Sequence, residues 1–433
     1  MSLQVVPQSC YAPSGMAPPS DGSYTGGERG RKRKRQGPRQ FMWRVFYGAL
    51  MASLLDTAGC VGPPALHDSV LGYDETVASL EQEILLLNMA RLSTDQPPHF
   101  TVTSSIAATF NFETSSVIDG SIFEGAGIDV LSLSVESRAA ENPTFSIVPI
   151  SGQEFTNRIL APVNEGVLAF FAFQGVRIEL LARLMADGIE MLSPEGKTKA
   201  FFFNKVTTLD QYRTFRQIVL HLGALQTSGQ LFVNQLTYDE VILNRVHQQP
   251  NTGDIVSAMG GGLAWRQNDD QTYTLFRPVR GRVLISNYDP RNLSNSERQK
   301  LNEIASRNAD NFVMVDVRAE HPGGDSPIFG ALKLRSLFAM LDFVGKSIEL
   351  FPEVPVEADP RLAEAVRNPV RTLAIDVSDR APEGSDRRIK FQGRYYAVGN
   401  SRWDRAAFMI LYELFQVTVT DVSRVGIPIT IAK

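Results

Sequence analysis

Asp316, Glu320, His321 and Asp325 bring an imidazole and three carboxyl groups into one short stretch. An imidazole changes charge near neutral pH. Carboxylates beside it can orient it, exchange protons with it or join it on a metal ion. The stretch follows a strand predicted over residues 312–317. It precedes a helix predicted from Ser326, with Pro327 at the first helical position. Loops that leave strands are common seats of catalytic groups. The chemistry such a loop would serve is hydrolysis. The same residues around Pro322, Gly323 and Gly324 also read as a solvated polar turn.

Other catalytic signatures are missing. The chain has no G-x-S-x-G nucleophile elbow, and no H-E-x-x-H or C-x-x-C frame for zinc. Gly125 and Gly127 do not complete a dinucleotide fingerprint, because Val130 stands where a third glycine belongs. Gly345, Lys346 and Ser347 imitate the end of a phosphate-binding loop, but Met340 replaces its first glycine and the triplet ends a helical pattern. No cofactor or metal is therefore called for. His67, His99, His221 and His247 are scattered, and His221 lies on an apolar helix face, as a packed residue would. Trp265, Trp403, Tyr395 and Tyr396 could line a carbohydrate site or simply pack. Phe170, Phe171, Phe173 and Phe201 to Phe203 read as core, with an apolar-ligand pocket as the alternative.

The elements that would hold these residues mix both periodicities. Val77, Leu80, Ile84 and Leu87 recur at helical spacing after Asp74, which can cap a helix starting at Glu75. Strand-like patterns follow over residues 100–112, 130–135 and 145–148, with Gly and Ser between 114 and 127 reading as a loop. Ser151 with Glu154, and Ser294 with Glu297, have the spacing of capping boxes. Helical segments are predicted over 164–173, from 178 to 192 and over 209–225. Strands are predicted near 231–236, 272–276 and 282–285. A hairpin around Gln392 and Gly393, a helix capped at Ser401 and strand-like segments over 418–422 and 427–431 close the chain. The succession predicts a mixed α/β or α+β body, with several amphipathic helices packed on short, mostly mixed or antiparallel strands. The expected division is a leader over 1–59, a tether over 60–73, an α+β part over 74–280 and an α/β part over 281–433. The last two could also form one unit.

Charge is divided unevenly. The first 59 residues carry 8 Lys and Arg against 3 Asp and Glu, leaving 35 against 44 for the rest. An acidic body argues against nucleic acid as the partner, since phosphate contacts need a basic surface. No apolar run after Cys60 reaches the ~18 residues of a helical membrane span. The two cysteines, Cys10 and Cys60, both lie in or at the end of the leader, so the body holds no disulfide of its own.

The leader is the most readable part. Residues 31–35 are a block of five basic residues, Val45 to Leu55 is apolar or small throughout, and Thr57, Ala58 and Gly59 lead to Cys60. That order fits a positive region, a hydrophobic core and a cleavage region. The basic block could instead mark a DNA-associated protein. Met42 could also be the true start, with Arg44 as its positive charge. The stretch from 57 to 60 resembles a bacterial lipobox, with Thr57 in place of the usual Leu and a charge at Asp56. The resemblance implies a bacterial lipoprotein, cut before Cys60 and acylated there. Small residues at 57 and 59 also suit ordinary secretory cleavage. The lipoprotein reading places the body at the cell envelope, at the outer membrane or periplasmic face, held to the membrane through Cys60. There it would bind a partner protein or support an assembly without catalysis. An exported hydrolase built on Asp316, Glu320, His321 and Asp325 is the alternative.

Overall fold

The computed structural model describes residues 62–119, 132–357, 368–382, 384, 387–419 and 429–432. The leader, Cys60 and its lipobox-like context lie outside the described residues. Residues 71–433 form one compact unit of α+β class.

Helix α1 covers Gly62–Ser93. It therefore starts well before Glu75, and Asp74 is an interior residue rather than its cap. Pro63 and Pro64 permit this, because the first turn of a helix has no use for their missing amide protons. Strands β1 (Thr101–Asp119) and β2 (Ser132–Pro149) then form one long antiparallel hairpin. The strand character runs on through residues 114–119, where Gly and Ser spacing predicts a loop. A short helix, Gly152–Phe155, continues as a π-turn over Thr156–Leu160. The expected capping box at Ser151 does not form: Gly152 takes a left-handed φ of +60, and Glu154 pairs instead with Arg158 Nε at 2.5 Å.

Helices α2 (Glu165–Phe173) and α3 (Ile178–Met185) lead into β3 (Ala186–Leu192) and β4 (Thr198–Phe203). The helix expected to reach residue 192 thus stops at Met185. Helix α4 (Leu209–Thr227) is followed by β5 (Phe232–Val246), α5 (Thr252–Gly260), β6 (Ala264–Gln267) and β7 (Tyr273–Ser286). Helix α6 (Asn295–Ala305) carries the predicted box: Ser294 Oγ accepts from the Glu297 amide, and Glu297 returns to the Ser294 amide. Strands β8 (Phe312–Val317) and β9 (Ile328–Leu334) come next, then α7 (Leu337–Glu349). The helix predicted from Ser326 is strand β9, and helix α7 starts only after Ser336, which caps it. The reason is burial. Strand β9 lies between β8 and β3, so its apolar residues run almost without a break, and such a run has no period to tell strand from helix. Strands β10 (Ile375–Ser378), β11 (Arg388–Phe391) and β12 (Arg394–Val398), helix α8 (Arg402–Val419) and strand β13 (Ile429–Ala432) complete the described elements.

The central sheet has seven strands in the order β4-β3-β9-β8-β7-β5, with β6 on the far half of β7. All of its pairs are antiparallel except β7 with β8. Residue 280 falls inside β7, so strands from both sides of it share this sheet. Side chains alternate between two cores. Val283, Ile285, Val313 and Val315 join the larger core with α1, α3, α4, α7 and α8, while Leu284 and Met314 pack with Leu301 and Ile304 of α6. Gly345 marks where α7 presses on α1, since a Cβ there would stand 2.7 Å from the Met89 carbonyl oxygen. The glycine of the phosphate-loop look-alike is thus a helix-packing residue.

Candidate functional site

Both ends of the parallel pair matter. In open sheets, ligands gather beyond the carboxyl ends of parallel strands. Here Ser286 and Asp316 stand side by side at those ends. Arg282, earlier in β7, sets the depth. Its guanidinium donates to the carbonyls of Ala305, Asn308, Ala309 and Phe312 and to Glu165 Oε1, the last at 2.8 Å. It thereby ties the end of α6 to the start of β8. Burial pushes the Glu165 carboxyl above its ordinary range, against the pull of Arg282.

Asp316 is buried. Its Oδ2 accepts from the Tyr288 hydroxyl at 2.6 Å and from Arg318 Nε at 2.9 Å. The Arg318 guanidinium also lies 4.5 Å from the Tyr288 ring centre, at cation–π distance. Burial, and then the charge of Asp316, hold the Tyr288 hydroxyl well above the ordinary tyrosine range. Tyr288 therefore stays a proton donor to Asp316 at neutral pH. Asn287 fixes the neighbouring loop: its Oδ1 accepts from the Arg318 amide, and its Nδ2 donates to the carbonyls of Arg318 and Pro322. Gly324 is required by the same tight turn, because a Cβ would meet the Arg318 carbonyl oxygen at 2.2 Å.

The four residues singled out in the sequence separate around this knot. Asp316 and Glu320 line a cleft of about 540 Å³, shared with Lys199, Lys300 and Arg318. His321 faces a different cleft of about 360 Å³, between Gln230, Asn287 and Asp289. Asp325 is exposed and lines neither. The His321 ring lies 4.9 Å from the Tyr288 ring, and its imidazole makes no hydrogen bond to any of the three carboxylates. Among the described residues no group of three His, Cys, Asp or Glu side chains could hold a metal ion. The arrangement offers a cleft lined by both apolar and charged side chains, with the fixed Asp316 carboxylate among them. It does not offer an imidazole–carboxylate relay in its present geometry.

A second charged cluster escaped the sequence reading. Glu353 Oε1 accepts from the Tyr212 hydroxyl at 3.0 Å and the Thr372 hydroxyl at 2.8 Å, with Arg183 at 3.5 Å and Arg216 at 3.6 Å. Arg183 also donates to the carbonyls of Pro369 and Val370, and Arg216 to the side chain of Asn368. Trp403 closes the cluster, with its ring 5.3 Å from the Arg183 guanidinium and its Nε1 donating to the Thr372 carbonyl. Burial draws the Arg183 guanidinium below its ordinary range. The members are distant in sequence. Two local signals point to them: Glu179 with Arg183, and Tyr212 with Arg216, each four apart on an apolar helix face.

Exposed apolar side chains also stand on the arm built by the outer halves of β5 and β7 with β6 and α5. Val241, Leu243, Val256 and Met259 are each 48% exposed or more. No protein family matches the chain, and no curated protein or solved structure is similar to it.

Proposed function

We propose that the chain is a cell-envelope lipoprotein, anchored through an acylated Cys60, whose body binds a partner protein or supports an envelope assembly without catalysis. The exposed apolar arm carries this reading. Apolar groups presented together on a folded surface commonly mark a protein contact, and Val256 and Met259, three residues apart on α5, are 63% and 71% exposed. The address comes from the basic block, the short apolar run and the lipobox-like residues before Cys60. A second reading, an exported hydrolase, draws on the cleft that contains Asp316 and Glu320 at the carboxyl end of the parallel pair. The separation of His321 from that cleft favours the binding reading.

The test is made in cells producing the full chain with a photo-crosslinking residue at position 259. The membrane fraction should contain a protein whose mature mass starts at Cys60 and includes acyl chains, and Cys60→Ala should lose both mass and membrane retention. A defined crosslinked partner at 259, absent when the probe is moved to Glu195, is the further expected result. Unmodified full-length protein in the soluble fraction would overturn the proposal.

A further inference from the structure

We infer that β1 and β2 form a membrane-spanning hairpin, and that copies of this chain join their hairpins edge to edge into a β-barrel. The inference deepens the envelope reading and rests on it. It starts from the register. Antiparallel partners share a face of the ribbon, and each strand alternates between faces. On one face, with eight apolar residues of twelve, Ala108 is opposite Pro143, Phe110 opposite Glu141, Phe112 opposite Ala139, Thr114 opposite Ser137, Ser116 opposite Val135 and Ile118 opposite Leu133. On the other, Thr109 is opposite Asn142, Glu113 opposite Arg138 and Ser115 opposite Glu136. Between 108 and 118 and between 133 and 143, the first face carries a single charge, Glu141. These are eleven residues on each strand, against the roughly 9–11 that a tilted strand needs to cross a bilayer. Glu141 and Pro143 lie at the base end of that span, where a membrane interface tolerates charge.

The packing agrees. The base of the hairpin is fixed in the body: Phe100 and Ile150 are buried, and the Ile150 amide donates to the Phe100 carbonyl at 2.9 Å. Beyond the base, among the described elements, only β13 packs substantially on the pair, and it covers β2 from Thr144 to Ile147 alone. The outer edge of β1 and that of β2 from Ser132 to Pro143 are left without a strand partner among the described residues. A long free edge invites another strand. In hydrocarbon it must find one, because no water is there to bond the backbone, and only closure leaves no edge. Each copy offers one β1 edge and one β2 edge, which meet antiparallel. A barrel of at least ~8 strands would take about four copies. The apolar face then meets lipid and the polar face lines the lumen.

The test uses the full chain with Cys10→Ser and Cys60→Ser, purified in detergent and reconstituted into phosphatidylcholine liposomes that contain nitroxide-labelled lipid. A cysteine carrying a fluorophore is placed in turn at 108 to 113. Strong quenching at 108, 110 and 112, with weak quenching at 109, 111 and 113, is the expected result, together with crosslinked oligomers. Phe112→Arg should cut the inserted oligomer at least tenfold, while Asn111→Arg should leave it. Uniform or absent quenching, or a monomer in the liposomes, would overturn the inference. Alternating protection in cells without quenching in liposomes would also overturn it, by assigning the face to a protein. Because reconstitution bypasses export, a chain that inserts in liposomes but remains soluble and unprocessed in cells would fail the envelope reading alone.

Discussion

The clusters around Glu353 and around Asp316 are made of the same parts: a buried carboxylate, a tyrosine hydroxyl donating to it and arginine beside it. Their surroundings separate them. Glu353 and its two arginines are sealed, with side chains at most 1% exposed. Arg318 keeps 24% of its side chain in contact with solvent, at the edge of a cleft. The charge balance follows. Around Arg183, burial outweighs the nearby carboxylates and draws the guanidinium down. Around Arg318, burial acts in the same direction but is outweighed by Asp316 and Tyr288, so the guanidinium rises. The first cluster is a clip that fixes the segment near residues 368–372 to α3 and α4. The second is a rim between two open clefts. Residue type alone cannot separate a clip from a rim; access of water does.

The strongest way to break this contrast is Glu353→Leu. It strands Arg183 and Arg216 without their shared carboxylate, and loss of one partner from a buried ion cluster costs about 3–5 kcal/mol. Urea denaturation should show that loss. Asp316→Asn should cost less, about 1–3 kcal/mol, since one hydrogen-bonded buried acceptor is weakened while Arg318 can turn to solvent. If Asp316→Asn proves the more damaging, the Asp316 cluster is the structural one and the contrast fails.

The smallest effect lies at alkaline pH. Burial first, and then a neighbouring carboxylate, hold the hydroxyls of Tyr212 and Tyr288 above the usual tyrosine range of ~10. The folded state binds these protons more tightly than the unfolded chain. Their contribution is complete below about pH 10 and is lost as pH rises through the raised folded values. Near-ultraviolet absorbance should therefore show late-ionising tyrosines, Tyr212 and Tyr288 among them. Tyr288→Phe and Tyr212→Phe should each remove one of them and flatten the alkaline decline in stability.

Much of the fold was legible where local chemistry decides. The Ser294 box holds as its spacing predicts, with Glu297 returning to the Ser294 amide. The identical spacing at Ser151 fails through the backbone of one glycine, which spacing does not encode. Strand β9 reads as helix in the sequence because it is buried among strands, which removes the alternation that would mark it. The loop after β8 was placed correctly at a strand end. That its His321 and Glu320 enter different clefts depends on Asn287 and Tyr288, some thirty residues away. The Glu353 cluster is not legible as a whole, because its members are gathered by packing over a span from 179 to 403. In β1 and β2 apolar residues alternate only in part with polar ones, so neither strand contains a long apolar run. Among the described residues no helix is long and apolar enough to cross a membrane, and that test does not bear on strands.

Arg282 acts as a ruler for the rim. Its grip on the carbonyls from Ala305 to Phe312 determines where β8 begins, and hence how many residues separate that origin from Asp316. A slip of one residue would reverse every side chain of the strand, bringing Val315 or Val317 to the position beside Tyr288. The arginine touches neither cleft lining, yet it keeps count for both.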